Sequence, residues 1–218
     1  MISIYGVYRS RALRNIWACE EVGMPFTHVP VIQASRLKDP LAPDAPLNTR
    51  SPSFLKLNPA AQIPVLTDGD LVLAESLSIN FYIARQGGPP VGTNDLGASA
   101  RFAQRSMWAA TTVEPHSIQI LRHRVQLPPD QRQEWRVAEA VAALSGPLSM
   151  LDALLAKDGH IVGSRFTIAD INVAETLRYA LPAPEVFEHV PHVKAWLQAC
   201  HERPAWKKVM ARREEEPA

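Results

Sequence analysis

Residues 58–76, NPAAQIPVLTDGDLVLAES, carry the chain's most chemically informative pattern. Pro64 opens the apolar run Val65-Leu66-Thr67, and Leu71-Val72-Leu73 returns as a partner strand. Between them Asp68-Gly69-Asp70 is hairpin-turn chemistry, because glycine takes the positive φ of a tight turn at no steric cost. Glu75-Ser76 then leads into helical apolar spacing from Leu77 to Ile83, which stops at Gly87-Gly88. A small anionic peptide can use each of these parts. A cis Ile63–Pro64 bond would turn the chain sharply and offer the Ile63 N–H and C=O to an extended ligand backbone. The Ser76 hydroxyl and the N–H groups at the helix start would receive a carboxylate. The same residues also satisfy an ordinary hairpin followed by a capped helix.

The elements that must position this segment can be read on either side of it. Ile2, Ile4 and Val7 predict a first strand, followed by a helix over about 10–22 that Gly23 terminates. A second strand is expected over 26–32, with Pro30 inside it arguing for an edge position. Strand–helix–strand order requires a parallel pair, and the later hairpin and helix complete a βαβ then ββα arrangement. Residues 34–53 are polar, proline-rich and long, which is typical of a functional loop flanking a ligand groove. Gly87-Gly88-Pro89-Pro90 reads as a linker.

Beyond it the apolar period turns helical, with long segments over 98–125 and 131–155. In Phe166-Thr167-Ile168-Ala169-Asp170, Thr167 is placed to cap a helix and Asp170 to bond back to it, with Phe166 and Ile171 as a hydrophobic staple. A last helix is expected over 191–201, followed by the acidic tail Glu214-Glu215-Glu216.

Composition excludes several classes. The chain has 218 residues, 46% hydrophobic and 21% charged, with a formal net charge of +1. That is ordinary for a globular protein of one or two domains and gives no electrostatic case for nucleic acid or an anionic membrane. No window reads as a bilayer span, and the start MISIYGVYRSR reads as a strand instead of a signal peptide. Cys19 and Cys200 are far apart and form no CxxC or metal pattern, which suits a reducing, cytoplasmic setting. Cys19, inside the first helix, reads as a small buried hydrophobe.

The 58–76 segment resembles the glutathione-binding half of the thioredoxin-like domain in cytosolic glutathione transferases. The carrying pattern is Asn-Pro-x-x-x-Ile-Pro-x-Leu followed by Glu-Ser at a helix start, and the style is closest to bacterial, serine-type members. The likeness extends over the whole chain, including the first strand and helix, the linker and the late Phe-Thr-Ile-Ala-Asp. It implies an α/β thioredoxin-like domain over 1–86, a linker over 87–95 and an all-helical domain over 96–218. It also implies that Gln62, Ile63, Pro64, Glu75 and Ser76 hold glutathione as co-substrate. Where many members carry Lys, His or Gly before the Gln62 position this chain has Ala61, so an arginine or the long loop would have to replace one carboxylate contact.

In such enzymes a hydroxyl stabilises the glutathione thiolate. A thiol near its reference pKa of about 8.5 is mostly protonated at neutral pH, so a donor aimed at the sulfur increases the nucleophile directly. Tyr5, Tyr8 and Ser10 compete for this role, and Ser10 is the preferred residue because it precedes Arg14 by four positions, as the active-site serine does in serine-type classes. No cysteine lies in this loop, which argues against cysteine-type members. Arg9, Arg11 and Arg14 cluster at the same end, each with a structural or solvated role as the plainer reading. The second substrate, an apolar electrophile, is expected to meet Trp108, Thr112, Pro115 and His116, residues for which core packing is the competing role. His116 and His123 share a helix face without an acidic or cysteine partner, so no metal is expected. The family implies a two-fold homodimer. A glutathione-dependent isomerase or dehalogenase would share every motif above, and a non-catalytic interaction module would share most of them.

Overall fold

The structure, a computed structural model of the chain, describes residues 1–216. In chain order its first part contains β1 (Ile2–Tyr5), α1 (Ala12–Val22), β2 (Phe26–Val29), α2 (Pro52–Leu57), β3 (Val65–Asp68), β4 (Leu71–Ala74) and α3 (Ser76–Gly87). Six helices follow: α4 (Leu96–Trp108), α5 (Glu114–Leu121), α6 (Glu134–Asp158), α7 (Ile168–Arg178), α8 (Pro191–Glu202) and α9 (Pro204–Glu215). The chain divides into two compact units, one of Met1–Gly92 together with α9 and one of Thr93–Arg203.

The first unit is built on a four-stranded sheet in the order β2-β1-β3-β4. β1 runs parallel to β2, with Ile4 opposite His28, and antiparallel to β3, with Ile4 opposite Leu66. β3 and β4 form the hairpin expected around Gly69, whose φ is +56°. This is the βαβ then ββα order read from the sequence. β2 lies at an edge and ends at Val29, because Pro30 has no N–H to continue a ladder. Beyond it Ile32 makes a single bridge to Asn48. Helix α1 is enclosed by α3, α9 and β1, which explains why every residue from Ala12 to Cys19 is buried. Gly23 ends it in the left-handed conformation, with φ +66°.

Two pieces of this unit were not visible as helices in the sequence. α2 starts on Pro52 and buries Phe54 in a cluster with Val31 and Val65, against which Tyr5, Leu47, Leu57 and Ile63 pack. α9 groups with this unit, whereas the sequence placed all of 96–218 in one helical domain. Its Trp206 ring meets that of Trp17 on α1 with centroids 4.7 Å apart, and Lys208 reaches Glu20 at 2.6 Å.

The second unit is wholly helical apart from its connections. The expected helix over 98–125 is interrupted twice, by π-helical segments at Ala109–Val113 and Arg122–Gln126. The first has a local cause. Pro115 has no N–H for the regular ladder, and the Glu114 N–H instead bonds the Ala109 carbonyl one residue further back. α6 begins at Glu134, a little later than expected, and its stripe Val137, Ala140, Leu144, Leu148, Leu151 and Leu155 is buried. By length and composition α6 is apolar enough to cross a membrane, which corrects the sequence reading that no window approached this. Its buried stripe at three- and four-residue spacing is that of a core helix packed on α5 and α8. At the start of α7 the capping box forms as expected: the Thr167 N–H donates to Asp170 Oδ2 at 2.8 Å. Asp170 is fully buried and also accepts from the Ile161 N–H and from Trp196 Nε1.

Candidate functional site

The loop over 58–62 is shaped by one side chain. Asn58 donates from Nδ2 to the Gln62 carbonyl at 2.8 Å, and its Oδ1 accepts the Ala60 N–H at 3.1 Å. Within this turn Ala61 sits at φ +56°, and the Ile63–Pro64 peptide bond that follows is cis. The Ile63 side chain is anchored on the Val31, Phe54 and Val65 cluster. At the other side of the sheet end, Glu75 holds φ +66° ahead of α3. A non-glycine residue there is strained, and such strain collects at ligand sites. The Glu75 side chain points to solvent while Ser76 is buried.

A buried polar network fixes Ser76. Arg14, only 1% exposed, reaches Ser76 Oγ with Nη1 at 3.4 Å. Asn15 Nδ2 donates to the Ser76 carbonyl and to Asn80 Oδ1, both at 2.7 Å. Arg14 is thereby part of the α1–α3 framework, the structural role weighed for it in the sequence.

These parts meet in one groove. Gln62, Ile63, Pro64, Glu75 and Ser76 line it together with Arg11, Asn58, Ala60 and Ala74, around about 480 Å³ of space open to solvent. All five residues that the sequence nominated for one ligand are therefore adjacent. Asn58 and Arg11 are additions. Asn58 was visible as the start of the motif, and an asparagine ahead of a turn was the available signal. Among the lining residues Arg11 is the one cation and Glu75 the one anion.

Ser10 sits half-buried in the turn between β1 and α1. Its hydroxyl donates to the Val7 carbonyl at 2.7 Å and accepts the Ala12 N–H at 3.1 Å, so it caps α1. The turn runs close to the groove: a side chain on Gly6, at φ +149°, would approach Ile63 Cβ to 3.5 Å. The two rival tyrosines have contacts of their own. Tyr5 packs on the Phe54 cluster, and the Tyr8 oxygen accepts from Arg212 Nη1 at 3.4 Å. Cys19 supplies no thiolate, since burial, with Glu20 beside it, pushes its thiol up to about 12.

In the second unit Trp108 ends α4, Thr112 lies in the first π segment, and Pro115 and His116 lie in α5. Trp108, Thr112 and His116 are half-buried and Pro115 is exposed, so none is closed into the core. His123 is buried, and its Nδ1 accepts the Gln133 N–H at the start of α6. Among the described residues no group of three or more His, Cys, Asp or Glu side chains is placed to hold a metal ion.

Comparison with known proteins gives the arrangement a family. Residues 9–86 match the model of the glutathione S-transferase N-terminal domain, and residues 103–204 match that of the C-terminal domain. The chain is 34% identical to glutathione S-transferase 3 of Zea mays over 226 residues, covering 96% of this chain and 93% of that one.

The chain belongs to the glutathione S-transferase family.

Solved structures of the family superpose along nearly its whole length. Glutathione transferase F7 of Populus trichocarpa matches with a TM-score of 0.81 at 26% identity, covering 98% of this chain and 99% of that one. The theta class glutathione S-transferase of Xanthomonas axonopodis pv. citri, solved with glutathione bound, matches with a TM-score of 0.79 at 28% identity, covering 95% of each chain.

Proposed function

We propose that this glutathione S-transferase binds glutathione in the groove of its first unit and transfers the thiolate to an apolar electrophile. The observation that carries this reading is the convergence of Gln62, Ile63, Pro64, Glu75 and Ser76 on one groove. Glutathione is an extended peptide with two carboxylates and one ammonium, and the groove presents matching chemistry. The Ile63 main chain bonds the peptide backbone. The Ser76 hydroxyl and the N–H groups at the start of α3 receive a carboxylate, with buried Arg14 behind them. Glu75 attracts the ammonium, and Arg11 supplies the positive charge that Ala61 does not.

Ser10 acts on the sulfur. Its O–H exchanges the Val7 carbonyl for the thiolate as acceptor, which stabilises the ionised form, while the α1 N-terminus adds a favourable dipole. The thiol proton leaves to solvent. The sulfur lone pair then forms a C–S bond to the electrophilic carbon, and the leaving group departs with the electrons of its own bond. Trp108, Thr112, Pro115 and His116 form the wall for the electrophile, with few donors and a preference for compact apolar or aromatic compounds. The enzyme works as a cytoplasmic homodimer and uses no metal.

Retention on immobilised glutathione, followed by a conjugation assay with an aromatic electrophile, tests the reading. Retention and turnover are the expected results. Retention without turnover would indicate a binding module, and no retention would remove the proposed site.

A further inference from the structure

We propose that Glu216, in the C-terminal tail, is a positioning residue for the thiol site: it clamps the turn that carries Ser10. The inference rests on the assignment of Ser10 above and adds a residue to the same machinery. The Glu216 carboxylate accepts the main-chain N–H of Tyr8 and that of Arg9, one on each oxygen, both at 2.9 Å. The Glu216 carbonyl accepts from Arg9 Nε at 3.2 Å. From another direction Arg36 donates Nη2 to the Arg9 carbonyl at 2.7 Å. The residue directly before Ser10 is therefore held at its N–H, its C=O and its side chain by groups distant in sequence.

The clamp is delivered by design of the fold. α9 is seated on α1 by Trp206 against Trp17 and by Lys208 against Glu20, which brings Glu216 to the β1–α1 turn. Charge-assisted bonds to paired N–H groups are short and directional, so they fix a backbone better than solvent would. That matters here because a displacement of about 1 Å at a reacting group costs on the order of a hundredfold in rate. A carboxylate this close to the turn also has the opposite electrostatic tendency, since negative charge disfavours a thiolate. The two effects predict opposite shifts in thiol ionisation on removal, so the direction decides between them.

The test uses the whole 218-residue chain with Glu216→Ala, Glu216→Gln, Ser10→Ala and, as a charge control at an exposed neighbour, Glu214→Ala. Glu216→Ala is expected to speed hydrogen exchange at the Tyr8 and Arg9 amides and raise the pKa of the bound glutathione thiol. It should lower kcat by about tenfold with the KM for glutathione held within about twofold. Glu216→Gln keeps one acceptor and should fall between, and Glu214→Ala should match wild type. Wild-type amide exchange with wild-type kcat in Glu216→Ala overturns the proposal. So does a lowered thiol pKa, which would make Glu216 a field effect, or a loss confined to KM, which would make it a binding residue. An unchanged thiol pKa in Ser10→Ala removes Ser10 instead, and the amide exchange and kcat of Glu216→Ala still decide whether the clamp holds the active turn.

Discussion

Ser10 serves the fold as well as the proposed chemistry, and the two roles separate experimentally. As a cap it accepts the Ala12 N–H, and its loss should cost about 1 kcal/mol of stability. As a thiol-site donor its loss should raise the pKa of bound glutathione and slow conjugation while glutathione affinity stays nearly constant. Ultraviolet titration of the bound thiolate in Ser10→Ala checks this, and an unchanged titration would leave the serine as a cap only.

His201 gives a second residue-scale prediction. Burial pushes its ring down to about 4, with Glu175 opposing the shift and Arg178 adding to it. The unfolded chain therefore binds a proton that the native state refuses, so stability is complete above about pH 6.5 and is lost as pH falls toward 4. Between pH 6.5 and about 5 the loss should reach about 2 kcal/mol. Denaturant titrations of wild type against His201→Gln would show it as a difference in pH slope, and parallel slopes would contradict it.

At this scale much of the groove was legible. Gln62, Ile63, Pro64, Glu75 and Ser76 stand in a motif whose spacing is local. The grip of Asn58 on the Gln62 carbonyl, and the positive φ of Ala61 and Glu75, were not legible, because alanine and glutamate carry no signal for that conformation.

Elements were readable where punctuation is local and lost where a distant partner decides. Gly23, Pro64, Gly69 and Gly88 mark ends and turns by their own backbone preferences, and the strands and helices between them followed. α9 went unread because Pro204 resembles a stop when it is the first residue of a new helix, a position where proline is tolerated. Its partners Trp17 and Tyr8 lie at the opposite end of the chain. The π segments were hidden for a related reason: apolar spacing survives a one-residue slip in the ladder. The start of α7 shows the opposite case, a motif that states its own structure. Asp170 accepts from the Thr167 N–H and hydroxyl, the Ile161 N–H and Trp196 Nε1, all buried. Asp170→Ala strands these donors, each costing about 1–3 kcal/mol, so a total of at least about 3 kcal/mol is expected in urea unfolding. A loss below about 1 kcal/mol would show that the cap is replaceable.

For the whole molecule, family membership explains why an α/β unit and a helical unit occur in one chain, but the specific account rests on the first unit's groove. There a neutral framework of buried Asn15, Ser76 and Asn80, with Arg14 behind it, presents an exposed glutamate beside a serine at a helix start. In the proposed reading binding and activation are separate: Glu75 and Ser76 would hold the peptide, and Ser10 would act on its sulfur. Titration calorimetry of glutathione into wild type, Glu75→Ala and Ser76→Ala tests that claim most directly. Each substitution removes a hydrogen bond to a charged group, so each variant should lose about 1–3 kcal/mol of binding free energy. Wild-type affinity in both variants would contradict the account.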